Sequence, residues 1–128
     1  MQRAFTLVEL LIVVIIIGIL ASIGIVQYGT VIEKSRSAEA YSVLANIVAA
    51  EKAYFVENDV YTATFSNLHS FTAAPQSDNF TYSIPSTDSS AGYAQAAKKA
   101  GTASYGMCLA SGKRASCSNA GACNPGCP

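Results

Sequence analysis

The hydrophobic pattern is dominated by an uninterrupted apolar run near the N-terminus. No side chain between residues 10 and 32 is charged, and Leu, Ile and Val occupy every side of a helix drawn through this run. Such a helix has no polar face and cannot lie at a surface. It is roughly 34 Å long, enough to cross the ~30 Å hydrocarbon core of a bilayer. The pattern therefore predicts a membrane-spanning or otherwise fully buried helix.

Beyond residue 32 the pattern changes to that of an amphipathic helix. Charged residues appear, and apolar residues recur at spacings of three, four and seven, at Tyr41, Leu44, Val48 and Phe55. No proline interrupts residues 5–58, and many alanines favour helix. We predict one helix of about 50 residues, apolar all round in its first half and amphipathic in its second. We expect it to stop near Glu57, Asn58 and Asp59.

Alternating patterns in the second half of the chain predict a small antiparallel sheet. The strand candidates are residues 80–84, 92–98 and 104–110. The second candidate is rich in alanine and also compatible with helix, but the glycines at 92 and 101 delimit a length suited to a hairpin strand. The predicted fold is α+β: a long N-terminal helix whose amphipathic half packs on a three- or four-stranded antiparallel meander, followed by a cysteine-rich tail.

The first ten residues carry a specific motif. Met-Gln-Arg-Ala at residues 1–4 is a short basic leader, and Phe-Thr-Leu-Val-Glu-Leu follows directly before the apolar run. A secretory signal peptide matches less well, because its apolar region is only about 7–15 residues long. The motif resembles the start of type IV prepilins, a family that includes pilus subunits, pseudopilins of type II secretion and related competence filaments. The resemblance implies a leader at 1–4, a transmembrane and filament-core helix half at 5–32, and a globular head at 33–128.

The resemblance also implies roles for individual residues. A membrane-embedded prepilin peptidase would cut between Ala4 and Phe5, and the new amine of Phe5 would be methylated; Ala4 stands where the family usually has glycine. Glu9 would pair with the N-terminal amine of a neighbouring subunit and set axial register. The simpler interpretation of Glu9 is an acidic residue in the first helical turn, where the helix dipole favours it.

Gly18 and Gly24 lie inside the apolar run and have two interpretations. Small residues allow close packing between helices in a membrane or a bundle. Filaments of the resembled family often lose helix near the matching glycine and a following proline, so the segment between Gly18 and Gly24 could instead unwind. Val26 stands where that proline is usual. We therefore favour packing over unwinding.

Four cysteines lie in the last 21 residues, at Cys108, Cys117, Cys123 and Cys127. An even count in an exported segment indicates two disulfides, with three possible pairings. A zinc site is a poorer interpretation, because the spacing contains no short Cys-x-x-Cys pair and no histidine is near. We expect the tail, residues 111–128, to be linked to the last strand through Cys108.

Composition and charge exclude several functions. Only 12% of residues are charged and the net charge is zero; removing the leader with Arg3 leaves seven basic and eight acidic residues. Strong electrostatic binding of nucleic acid is therefore not expected. The chain has no phosphate-binding glycine loop, nucleophile elbow or paired catalytic carboxylates, and His69 is isolated. We predict no enzyme activity, no cofactor and no metal.

The predicted function is structural: a subunit, as major pilin, of a type IV pilus-like filament. The resemblance implies that it waits in the inner membrane as a single-pass protein, is processed by the peptidase, and is extracted by an assembly platform with its ATPase into an extracellular pilus. One alternative is a type II secretion pseudopilin in a periplasmic pseudopilus. Another is a monomeric bitopic membrane protein whose head binds a ligand.

Overall fold

The computed structural model describes residues 5–88, 92–100, 103–118 and 122–124, and the side chains as far as residue 114. Its first element, α1, is a single helix over Leu7–Asn58. The predicted long helix is thus confirmed, including its end. Asp59 has a φ of 56°, in the left-handed region, and its N–H donates to the Phe55 carbonyl at 2.8 Å. This conformation ends the helix, because a helix cannot continue through a left-handed residue.

The chain divides into two compact units between Ser35 and Arg36. In the first unit, the large apolar side chains from Leu7 to Val31 are between 47% and 81% exposed. The segment is long and apolar enough to cross a membrane. Among the described residues of this unit, nothing covers the apolar side chains, because one helix cannot bury its own surface.

The second unit has its own hydrophobic core. The buried face of α1 contributes Ala40, Leu44, Ile47, Val48 and Ala50, at the helical spacing of the amphipathic pattern. The strands contribute the facing side chains, which are Phe80, Tyr82, Ile84, Ala94, Ala96, Met107 and Leu109. Tyr41 packs edge-on against Tyr105, which packs edge-on against Phe80, so aromatic rings connect the helix to the sheet.

The sheet is an antiparallel meander whose neighbours follow chain order. Its strands are β1 (Phe80–Ser86), β2 (Tyr93–Lys98), β3 (Ser104–Cys108), β4 (Arg114–Ser118) and β5 (Ala122–Asn124). Tyr82 pairs with Ala96, which pairs in turn with Tyr105. The three predicted strands are confirmed, and the sheet then continues through two more that the sequence analysis assigned to the tail. A short 3-10 helix, η1, covers Phe65–Asn67.

Two details differ from the expected strand ends. β1 extends through Pro85 to Ser86, with an irregularity in register between Ser83 and Ser86. Proline is tolerated there because β1 is an edge strand and needs no outward donor. β3 ends at Cys108, and the chain reverses into β4 through Gly112, which has a φ of 69° and donates its N–H to the Cys108 carbonyl at 2.9 Å. Glycine suits this position because other residues rarely adopt a positive φ.

We predict that Leu44→Ala lowers the free energy of unfolding of the second unit by about 2–5 kcal/mol, because the leucine is 0% exposed and its removal leaves a cavity. The matched control is Val56→Ala on the same helix, where the valine is 82% exposed and the expected change is within about 0.5 kcal/mol. Urea unfolding of the full chain in nonionic detergent, followed by tyrosine near-ultraviolet circular dichroism, measures both. Equal effects of the two substitutions would contradict this packing.

Candidate functional site

The N-terminal turn of α1 is organised by Thr6 and Glu9. The backbone N–H of Thr6 donates to Glu9 Oε2 at 2.9 Å, and the Thr6 hydroxyl donates to the same oxygen at 2.8 Å. In return, the backbone N–H of Glu9 donates to Thr6 Oγ1 at 3.3 Å. This reciprocal arrangement is a capping box, which satisfies N–H groups that have no partner within a helix.

The capping box gives the Glu9 carboxylate partners within its own chain. A charged side chain in the apolar part of a membrane is costly unless it is hydrogen-bonded or paired. Thr6 had no predicted role of its own, although the T-x-x-E spacing of Thr6 and Glu9 is the sequence signature of a capping box. That spacing could have revealed the contact.

Gly18 and Gly24 both lie in continuous helix in the isolated chain. A Cβ added at either would meet nothing within 4 Å, so the space beside both glycines is open to another helix. Nearby, the Ser22 hydroxyl donates to the Ile19 carbonyl at 2.7 Å and the Thr30 hydroxyl to the Gln27 carbonyl at 2.8 Å. The roles of the two glycines in packing or unwinding within a filament stay predictions.

The cysteines are only partly covered by the structure. Cys108 is buried at the end of β3, and the backbone of Cys117 in β4 lies opposite that of Cys123 in β5. The side chains of Cys117 and Cys123, and all of Cys127, lie outside the described residues. The two disulfides and their pairing therefore stay predictions.

A polar cluster joins α1 to the segment before β1. The Ser77 hydroxyl donates to Glu39 Oε1 at 2.5 Å, and Asn79 Nδ2 donates to Glu39 Oε2 at 3.2 Å. Lys99 Nζ donates to the Ser77 carbonyl at 2.6 Å. Burial raises the pKa of Tyr82, and the Glu39 carboxylate adds to the rise. The hydrogen bonds of Glu39 with Ser77 and Asn79 therefore hold the segment before β1 against α1.

His69 lies on the surface with Glu57, its Nε2 being 3.4 Å from Glu57 Oε2. Within the described parts of the chain, His, Cys, Asp and Glu side chains do not gather in threes that could hold a metal ion. The candidate functional site is instead the apolar first half of α1, whose first turn is capped by Thr6 and Glu9.

A long apolar helix with a capped carboxylate in its first turn, which continues into the core of a small antiparallel head, defines a pilin-like protein. Two family profiles match in agreement with this architecture. Residues 37–124 match type IV pilin-like G and H, and residues 1–25 match the prokaryotic N-terminal methylation motif. The chain belongs to the type IV pilin-like G and H family.

Curated relatives come from both branches of this group. The chain is 42% identical over 78 residues to the type IV major pilin protein PilA of Myxococcus xanthus, an alignment that covers 61% of this chain and 34% of the relative. It is 30% identical over 87 residues to type II secretion system core protein G of Klebsiella pneumoniae, which covers 66% and 60% respectively. The matched regions thus span between a third and three fifths of these relatives.

We predict that Thr6→Val speeds hydrogen exchange at the Glu9 amide by about fivefold, because losing an N-cap hydroxyl costs about 1 kcal/mol. Thr6→Ser keeps the hydroxyl and should leave the exchange rate near that of the wild type. Nuclear magnetic resonance of the chain in nonionic micelles measures the rate. An unchanged rate in Thr6→Val would show that the hydroxyl does not protect this amide.

Proposed function

We propose that this chain is a structural subunit of a type IV pilus-like filament, and specifically its major pilin. The observation that carries the proposal is the apolar surface of α1 from Leu7 to Val31, which is exposed within its own unit. Only a bilayer or a bundle of like helices can cover such a surface on all sides. A subunit that moves from the bilayer into a helix bundle keeps this apolar surface buried both before and after assembly.

Removal of the leader creates the positively charged partner of Glu9 in the proposed contact between subunits. The peptidase removes residues 1–4 by cutting between Ala4 and Phe5, and methylation follows at the Phe5 amine. The resulting ammonium group pairs with the Glu9 carboxylate of a neighbouring subunit. Within an apolar bundle either charge alone would be strongly unfavourable, so the pair fixes which axial register the helices adopt. Support comes from the matched methylation motif over residues 1–25.

The subunit begins in the inner membrane and ends in an extracellular pilus. An assembly platform with its ATPase supplies the work of extraction, because the apolar helix does not leave a bilayer unaided.

Gly18 and Gly24 allow close helix packing in the filament core, whereas local unwinding between them is the competing outcome. Disulfides among Cys108, Cys117, Cys123 and Cys127 stabilise the end of the head against shear and proteases.

A type II secretion pseudopilin is the second candidate. It is favoured by the alignment with core protein G, which covers more of this chain than the alignment with PilA does. A pseudopilin would assemble in the periplasm and would support secretion rather than form long surface filaments. Both roles use the same apolar helix, so surface display separates them.

We predict that filaments sheared from the cell surface contain a chain that begins at Phe5, carries one additional methyl group and lacks the four thiol hydrogens. Intact-mass measurement before and after reduction tests processing, export and both disulfides together. A processed chain found only in periplasmic filaments would favour the pseudopilin. A chain that still begins at Met1 and occurs only in membranes would contradict the filament proposal and favour a monomeric bitopic protein.

We predict that Glu9→Ala lowers the yield of sheared filaments by more than about tenfold, because leaving one charge of a buried pair uncompensated costs about 3–5 kcal/mol. The control is Glu57→Ala, which removes the same side chain from an exposed position on the same helix. Immunoblots of sheared and membrane fractions report both yields. Assembly of Glu9→Ala at the wild-type level would refute the charge pair.

A further inference from the structure

Glu51 is a carboxylic acid placed inside the hydrophobic core of the second unit. Its side chain is 0% exposed, on the same helical face as Leu44, Ile47 and Val48. One carboxyl oxygen, Oε2, accepts the backbone N–H of Thr62 at 3.0 Å. The other, Oε1, is buried and has no hydrogen-bond partner among the described residues. A group in this position is unsuited to carry a charge.

The hydrogen bond to Thr62 connects α1 with the turn that follows it. The chain reverses at Asp59, and Thr62 is also buried. Its hydroxyl oxygen accepts the backbone N–H of Thr64 at 3.2 Å and Asn67 Nδ2 at 3.1 Å, at the start and end of η1. Glu51, Thr62 and Asn67 therefore form one chain of contacts from the core of the helix to the loop. Residues 59–67 are called the Glu51 turn below.

We propose that Glu51 is a pH-sensitive latch: it is protonated in the folded head, and its ionisation loosens the Glu51 turn from α1. The neutral acid can keep its bond to the Thr62 N–H with only a modest penalty for the second oxygen. The ionised acid would bring a full negative charge into the core with a single hydrogen bond to oppose its desolvation. Consistently, burial raises the pKa of Glu51, and the Thr62 hydrogen bond offsets only part of the rise.

Among the described residues, no Lys, Arg or His side chain is buried in this core to compensate a charge on Glu51. On α1, Lys52 is exposed and Tyr54 is half-buried; in the Glu51 turn, Asp59 is exposed and Tyr61 is half-buried. In the sheet, Tyr82 is buried and Tyr105 is half-buried in the same cluster. Tyrosines are ordinarily neutral below about pH 10 and cannot balance a carboxylate. The nearest lysine in sequence, Lys52, lies at the surface and not in the core.

The direction of the pH effect follows from the raised pKa. In the unfolded chain Glu51 ionises near its ordinary pKa of about 4.3. Below that pH both states are protonated and the acid contributes no pH dependence. Above it, and up to the raised folded pKa, each pH unit lowers the folded-to-unfolded ratio by about tenfold, and the loss is then constant. Acid therefore stabilises the head relative to neutral pH through this residue, the reverse of an ordinary salt-bridged carboxylate.

The test compares wild type, Glu51→Gln and the control Glu57→Gln as full chains in nonionic detergent. The amide introduced by Glu51→Gln can still accept the Thr62 N–H through its carbonyl oxygen but cannot ionise. Urea unfolding between about pH 4 and pH 8 should give equal stability of wild type and Glu51→Gln at the acid end, with the variant increasingly more stable as pH rises. Glu57→Gln should stay close to wild type throughout, because the contact of Glu57 with His69 is an exposed pair that contributes little to stability. Identical pH dependence of wild type and Glu51→Gln would overturn the proposal.

Two local measurements keep the proposal testable if Glu51→Gln folds poorly. Infrared spectroscopy of the folded wild type at a pH just above the ordinary pKa of glutamate should show the carbonyl band of a protonated acid, and Glu51→Leu should lack it. Hydrogen exchange at the Thr62 amide, corrected for its intrinsic pH dependence, should speed up as Glu51 ionises. An absent acid band, or Thr62 protection that is independent of pH in wild type, would each overturn the latch. Neither measurement depends on filament assembly, so failure here leaves the proposed function standing.

Discussion

The first half of α1 carries an apolar surface that its own unit does not cover, and this constraint governs the molecule. Each large side chain between Leu7 and Val31 contributes about 1.5–3 kcal/mol when fully buried, so the run represents on the order of tens of kcal/mol. Such a surface is tolerated only in lipid or among similar helices. A stripe of apolar residues would have suited one partner, but apolar residues on every side require surroundings on every side. The first half of the helix therefore has to be buried in a membrane or in a helix bundle, independently of the function of the head.

Against that background, the two carboxyl groups on α1 show how environment sets the behaviour of the same side chain. Glu9 accepts two hydrogen bonds from Thr6 in its own turn, so its carboxylate has partners within the chain. Glu51 has one donor from Thr62 and a second oxygen without a partner among the described residues. The first is arranged to hold a charge at a helix start, where the dipole also favours it. The second is arranged to avoid one.

Periodicity predicted most of the fold because the strongest elements bury one regular face. The 3.6-residue pattern of α1 and the alternation of Phe80, Tyr82 and Ile84 are visible without a structure. β4 and β5 were missed because their region is rich in Gly, Ser, Ala and Asn, which carry little alternating hydrophobicity. The contacts of Glu39 with Ser77 and Asn79, which are 38 and 40 residues away, depend on tertiary packing that periodicity does not encode. The sequence places Glu51 as an acid on the apolar face of α1, but it does not reveal that the Thr62 N–H is its hydrogen-bond partner.

The two candidate roles cannot be separated by the helix, because a pilin and a pseudopilin share the same requirement for burial. The head is the part of the chain in which the surfaces of a pilin and a pseudopilin can differ, because function depends on particular sites and not on the shared fold. Arg114 lies over the Tyr41 ring with its guanidinium 4.2 Å from the ring centroid, and Lys99 contacts the cluster around Glu39 and Ser77. These cations are fixed by contacts within the head, so they present defined charge to whatever packs there. Charge that is held in place at the surface of an otherwise weakly charged chain favours complementary contacts over unspecific ones.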